Sequence, residues 1–190
     1  MRITEGEALN CFVRHGRPQI DRNVPASEWE LSAAGQKATI SLASELRHYS
    51  FDHLVSSPEP KALSTAEISA SQLGSLTVEI DGGFSEHARR SVGFLSAEQL
   101  DAGISRLLAK PDERVFGEET ANEAYRRICS SLWRQSVNST RNLMVVTHGT
   151  ILTIYVSRLL GIDALSLWRK LPMPGAIILQ GKKMLFVGHE

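Results

Sequence analysis

The 190-residue sequence predicts an α/β fold, a three-layer α/β/α sandwich around a mostly parallel central sheet. Three observations lead there. Short apolar runs alternate with helical patterns along the chain, the rhythm of strand–helix–strand units. Polar clusters stand just past three of the apolar runs, where ligand crevices of open α/β sheets lie. No repeat, low-complexity tract or Gly/Ser/Pro linker divides the chain, so residues 1–190 read as one domain.

Each element has a local cause. Leu9–Val13 is the first apolar run and reads as a strand. Residues 16–31 are polar and hold Pro18 and Pro25, so they read as a long loop. Ser32 can cap a helix over 33–47 that sets Ala38, Leu42, Ala43 and Leu46 on one face. Leu54–Ser57 reads as the second strand, and Pro58 suits the start of the helix that carries Ala62, Ala66, Ile68 and Leu73. Leu76–Ile80 reads as the third strand, broken by Asp81-Gly82-Gly83.

Ser96 with Gln99, and Thr120 with Glu123, have capping-box spacing, opening helices over 97–109 and 121–136. Leu143–Thr147 reads as the fourth strand. Thr150–Leu160 is a short apolar helix stopped by Gly161, a residue suited to a left-handed cap. Ala176–Leu179 and Met184–Val187 read as a closing hairpin.

Composition narrows the function. Lys plus Arg and Asp plus Glu both number 21, so the formal net charge is zero. A neutral chain argues against a nucleic-acid-coating role, since such domains carry a basic excess. Apolar residues at 42% and charged residues at 22% are globular values. No apolar run nears the roughly 18–20 residues that cross a bilayer, so no membrane partner is expected. Cys11 and Cys129 form no CxxC pair, and the first seven residues are polar and acidic. A cytoplasmic setting without a cysteine-based metal site is the expectation.

Parallel strands would bring Arg14-His15-Gly16, Ser56-Ser57-Pro58 and Thr147-His148-Gly149 to one sheet edge. Two histidines and an arginine without an evident metal set suit phosphoryl transfer. A neutral imidazole attacks phosphorus, and cations and N–H donors must surround the equatorial oxygens. Arg14 can bind two of those oxygens at once. Gly16 and Gly149 let backbone approach a ligand closely. The helices that follow Pro58 and Gly149 aim their positive ends at the same place.

These segments resemble the histidine phosphatase superfamily, also called phosphoglycerate-mutase-like. Phe12-Val13-Arg14-His15-Gly16 resembles its Arg-His-Gly motif. Leu31-Ser32-Ala33-Ala34-Gly35, Ser56-Ser57-Pro58 with Lys61-Ala62 and Thr65-Ala66, Phe84-Ser85-Glu86, Gly117-Glu118-Glu119 and Val145-Val146-Thr147-His148-Gly149 follow in order, over roughly residues 8–180.

The resemblance implies that His15 becomes a phosphohistidine and that Arg14 and His148 bind the phosphoryl group. It implies that Glu86 protonates the leaving oxygen and later activates water. No cofactor and no metal are implied; the expected partner is a small phosphorylated substrate, or a phosphoprotein. With His15 neutral and Glu86 protonated, a bell-shaped rate profile is expected.

The chain departs from the pattern at named positions. Lys61 stands where the family has a second arginine, Glu119 replaces serine, Phe84 replaces leucine, and Glu59-Pro60 alter the helix start. Lys61 is either a phosphate contact or a solvated helix lysine. Glu79 and Asp81 are rivals to Glu86. Arg17 is placed at the rim for an acidic substrate, while Arg22, Arg89 and Arg90 are expected at the surface. Ser57 is expected to cap, Cys11 to be an inert buried thiol, and Trp29, Trp133 and Trp168 to be core or rim. Specificity is expected in residues 17–30 and 84–116.

Two other readings share these residues. A phosphoglycerate mutase uses the same chemistry with a substrate hydroxyl as acceptor, but Arg17-Pro18-Gln19 follows Gly16 where typical mutases have Glu-Ser. A phospho-ligand binding or regulatory module with little turnover is suggested by Lys61 and Glu59.

Overall fold

A computed structural model describes residues 9–136, 142–181 and 183–188. Its elements in chain order are β1 (Asn10–Arg14), α1 (Ala33–Leu46), β2 (His53–Ser56), α2 (Pro60–Gln72), β3 (Val78–Ile80), α3 (Ala97–Ala109), α4 (Ala121–Ser136), β4 (Leu143–Thr147), α5 (Gly149–Leu160), α6 (Ala164–Lys170), β5 (Gly175–Gln180) and β6 (Lys183–Val187). Short 3-10 turns stand at Ala26–Glu28 and Gly82–Phe84.

The six strands form one sheet in the order β3-β2-β4-β1-β5-β6. The β1–β4, β2–β4 and β2–β3 pairs are parallel, and β5 and β6 run antiparallel at the other side. Alternation along the strands builds two cores. Phe12, Val55, Val145 and Ile177 face one side with Ile128 of α4 and Ile151 and Ile154 of α5. Cys11, Val13, Leu54, Met144 and Val146 face the other side with Leu42 and Leu46 of α1 and Ala62 and Ala66 of α2. Helices therefore cover both faces of the sheet, as parallel pairing requires.

The caps act as their spacing predicts. Ser32 Oγ accepts the Gly35 N–H at 3.0 Å. Ser96 and Gln99 close a capping box. The Thr120 N–H donates to Glu123 Oε2 at 2.7 Å, and the Glu123 N–H donates to Thr120 Oγ1 at 3.1 Å. Gly161 adopts φ 66° and ends α5.

Several boundaries differ. Pro60, not Pro58, is the first residue of α2, because Ser57-Pro58-Glu59 continue outward from β2 before the helix begins. The strand predicted from Leu76 begins at Val78, since the chain leaves the preceding turn through Gly74 and Ser75 at positive φ. Helix α6 was not foreseen; Asp163 caps it by accepting the Ser166 N–H at 2.7 Å. Among the described residues no helix is long and apolar enough to cross a membrane.

Candidate active site

The ends of β1, β2 and β4 lie side by side. Arg14 pairs in register with Thr147, and Ser56 with Val146. The ladder continues past the strands: the His15 N–H donates to Thr147 O and the Ser57 N–H to Val146 O, each at 3.0 Å. Residue positions at the site are thus set by sheet register rather than by loose loops.

A cavity of about 500 Å³ opens at this edge. His15 lines it and is only 5% exposed. Its Nδ1 donates to Gly16 O at 2.7 Å, the tautomer that leaves Nε2 with a lone pair and no hydrogen bond among the described residues. Burial, then the neighbouring His148 and Lys61, hold its pKa well below 6.5, so the ring is neutral at pH 7.

His148 does not line the cavity. It is fully buried, with its ring edge-on to His15 at 4.9 Å between centroids. Its Nε2 meets Ser57 Oγ at 2.8 Å, and its Nδ1 has no partner. Ser57 therefore does more than cap: its Oγ also accepts the Glu59 N–H at 3.2 Å. Burial, then Lys61, hold His148 well below its usual pKa.

Arg14 lines the cavity beneath Trp168, 5.1 Å from the ring centroid. One amino group donates to Leu171 O at 2.7 Å, while Nε is buried without a partner. Burial lowers its pKa to about 10, so it stays charged. Gly149 serves this arginine: a Cβ there would stand 2.7 Å from Trp168 and 2.9 Å from Arg14 Nε.

Gly16 has a structural role in place of the expected ligand contact. A Cβ there would meet Leu31, Gly35 and Thr39 within 2.9 Å, and its N–H already donates to Thr65 Oγ1. Arg17 is exposed and does not line the cavity; its carbonyl instead accepts from Ser32 N and Oγ.

Glu86 lies at the cavity wall and accepts four hydrogen bonds. They come from His87 N at 2.8 Å, Ile151 N at 3.2 Å, Thr150 N at 3.3 Å and Thr150 Oγ1 at 3.0 Å. Burial opposes its charge, yet the Arg89 guanidinium and the hydrogen bond from the His87 N–H hold the carboxyl well below the usual carboxylate range. It is a carboxylate in the free site, so the bell-shaped profile expected from a protonated Glu86 has no basis there.

Lys61 is buried, and its charge is already met. Its Nζ donates to Glu59 Oε2 at 2.5 Å and to Ala26 O at 2.8 Å. Glu59 Oε1 in turn accepts the Glu86 N–H at 2.7 Å. Lysine at this position thus brings its own counter-ion, which is why Glu59 is tolerated beside an anion site.

Three residues of the site escaped sequence reasoning. Arg89, expected at the surface, lines the cavity with its side chain 16% exposed. It stands 3.7 Å from Glu86 and leaves Nη1 buried without a partner. His87 is 2% exposed and stacks on Phe116 at 5.2 Å. Arg127 on α4 donates to the carbonyls of Gly83, Ser85 and Glu86 and binds Glu119, so it fixes the segment that carries Glu86. Helical spacing signals Arg127 only as a polar-face residue. The Glu118-Glu119 pair was the available hint for Arg89, since Glu118 accepts from the N–H groups of Arg90 and Ser91 and folds that loop inward.

Trp29 and Trp168 are cavity wall, whereas Trp133 is 68% exposed elsewhere. The expected specificity segments supply Pro18, Ala26–Trp29, Ser85–Arg90 and Leu100, and residues 58–61, Trp168 and Met173 complete the lining. Burial pushes the Cys11 thiol far up, which makes it unreactive.

Neutral imidazole, guanidinium and carboxylate gathered at one edge of a parallel sheet make an α/β protein whose site has the chemistry to hold an anion. A model of the histidine phosphatase superfamily (branch 1) matches residues 10–179, and the chain belongs to that superfamily. It is 28% identical over 164 residues to the Salmonella paratyphi A protein named "Probable phosphoglycerate mutase GpmB", covering 80% of this chain and 75% of that one. Its fold is shared with the phosphoserine phosphatase of Entamoeba histolytica solved with 3-phosphoglyceric acid. That match has a TM-score of 0.73 at 18% identity, over 96% of this chain and 98% of the other. The mycobacterial glucosyl-3-phosphoglycerate phosphatase matches with a TM-score of 0.70 at 20% identity, over 94% and 96%.

Proposed function

We propose that the protein hydrolyses phosphomonoesters through a phosphohistidine on His15, without a metal ion. The observation that carries this is the His15 tautomer: Nδ1 is spent on Gly16 O, and Nε2 is free in a side chain that lines the cavity. A buried neutral imidazole with Arg14 beside it is a nucleophile next to a charge clamp.

The proton balance follows from Glu86 being a carboxylate. The substrate enters as a phosphate monoanion, which brings its own proton. His15 Nε2 attacks phosphorus and the P–O bond to the alcohol breaks. The phosphate proton passes by way of Glu86 to the departing oxygen, and the alcohol leaves neutral. Water then attacks the phosphohistidine, the P–N bond to His15 Nε2 breaks, and Glu86 takes one water proton and returns it to the departing phosphate, which leaves as the monoanion. Arg14 neutralises the equatorial oxygens in both steps, His148 packs edge-on against the His15 ring, and burial keeps that ring uncharged. The balance of atoms needs no metal.

The test is turnover of p-nitrophenyl phosphate in EDTA, with labelled phosphate trapped by alkaline quench. Label on the wild-type chain and none on His15→Ala is the expected result, with turnover lowered by at least ~1,000-fold in the variant. Undiminished turnover in His15→Ala would refute the mechanism. Phosphoglycerate-mutase-type transfer is the second reading, favoured by the name of the curated relatives. Conversion of 3-phosphoglycerate to 2-phosphoglycerate faster than phosphate release would establish it instead.

A further inference from the structure

The cavity walls are nearly balanced in charge. Arg14, Lys61, Arg89 and Arg90 face it, and so do Glu28, Glu59 and Glu86. Three of these cations already have a carboxylate: Lys61 with Glu59 at 2.5 Å, Arg89 with Glu86 at 3.7 Å, and Arg90 with Glu28 at 2.5 Å. Arg14 alone has no carboxylate within ion-pair distance among the described residues. The surplus is one positive charge, which the phosphoryl group of any substrate consumes. Nothing remains to neutralise a carboxylate or a second phosphate on the leaving alcohol, and Glu28 at the rim would repel either.

Trp29, Trp168, Leu100 and Met173 give the rest of the wall an apolar character, which suits an uncharged alcohol and leaves a carboxylate without a partner.

From this we infer that the substrate is a phosphomonoester whose leaving alcohol is uncharged. The inference rests on the phosphoryl reading of the site and names its substrate class. It sets this chain apart from proteins whose ligands are carboxylate-bearing phosphoesters.

Two probes of similar size test the charge. Glycerol 3-phosphate and 3-phosphoglycerate differ by a hydroxymethyl against a carboxylate. The expected kcat/KM for glycerol 3-phosphate exceeds that for 3-phosphoglycerate by at least about tenfold. Equal or faster use of 3-phosphoglycerate overturns the inference. Glu28→Gln frees Arg90, and the ratio of 3-phosphoglycerate to glycerol 3-phosphate turnover should then rise about five- to tenfold. An unchanged ratio also counts against the inference. If neither ester turns over, p-nitrophenyl phosphate decides the hydrolase reading on its own. Calorimetric affinities of the same esters for the His15→Ala chain then decide the inference: the same order supports it, and tighter 3-phosphoglycerate binding overturns it.

Discussion

Glu86 receives three backbone N–H groups and one hydroxyl, two of the N–H groups from the first turn of α5. Such a carboxylate is costly to protonate. In the proposed mechanism it relays a proton, and the need for relay depends on the leaving group. Glu86→Gln should lower kcat/KM for glycerol 3-phosphate by ~10²–10⁴-fold, because an alkoxide cannot leave unprotonated. The loss in kcat/KM for p-nitrophenyl phosphate should stay under about tenfold, since that ratio reports only the steps up to the phosphohistidine and nitrophenolate leaves without help. Equal losses on both substrates would mean that Glu86 only shapes the wall. His15 is held below the usual histidine range and Glu86 below the usual carboxylate range. The wild-type kcat/KM should therefore follow the substrate's own second ionisation near pH ~6, and fall about tenfold per unit above it. A profile flat to pH 8 would show that the dianion is used.

At the scale of elements, the segment from Asp81 to Ser91 is the least regular part of the site and the most heavily tied. Arg127 reaches it from α4 with hydrogen bonds of 2.9, 2.9 and 3.2 Å to three carbonyls. Gly117 permits the approach from the other side; it sits at φ 86°, and a Cβ there would stand 2.2 Å from Ala88 O. Arg127→Met should cost about 1–3 kcal/mol of stability by stranding those carbonyls and Glu119. It should also lower kcat, because Glu86 loses its fixed backbone. Arg127→Lys should rescue little, as one ammonium cannot span the same acceptors. A thermal melt and p-nitrophenyl phosphate turnover check both, and full rescue by lysine would contradict the bracing role.

The sequence was informative where a local rule applies. Apolar runs placed β1, β2 and β4, and cap spacing placed α1, α3 and α4. The three clusters after the strands marked His15, Arg14 and His148 because sheet register alone brings them together. Arg89 and Arg127 were illegible for a physical reason: both are polar residues drawn inward by partners far along the chain. The Lys61–Glu59 pair was visible as two departures but not as one compensated unit, since side-chain direction at a helix start is a tertiary property.

At the scale of the molecule, burial of neutral histidines links the site to stability. His15 and His148 are held well below 6.5, by burial first. In the unfolded chain each takes up a proton near pH 6.5, so the unfolded state binds more protons below that value. Stability should fall on acidification by up to about 1.4 kcal/mol per pH unit for each histidine. Glu86 acts in the same direction at lower pH; its contribution is present above about 4.5 and is lost as pH falls. Melting temperatures should therefore drop steadily from pH 7 to pH 5. A melting temperature that holds or rises would mean that the two rings are protonated in the fold.

The sheet order also has a consequence for biosynthesis. Asn10, in the earliest strand, pairs with Leu143 on one side and Leu179 on the other. A ribosome adding about 5–20 residues per second needs roughly 10–30 s to travel from His15 to the last residues of β5. Until β4 is made Cys11-Phe12-Val13 has neither partner strand, and until β5 is made it has only one, so the edge that carries His15 is incomplete. His15 emerges well ahead of both strands that place it. A nascent chain is consequently inert toward phosphoesters and sticky at β1, the stretch that a holding chaperone would grip.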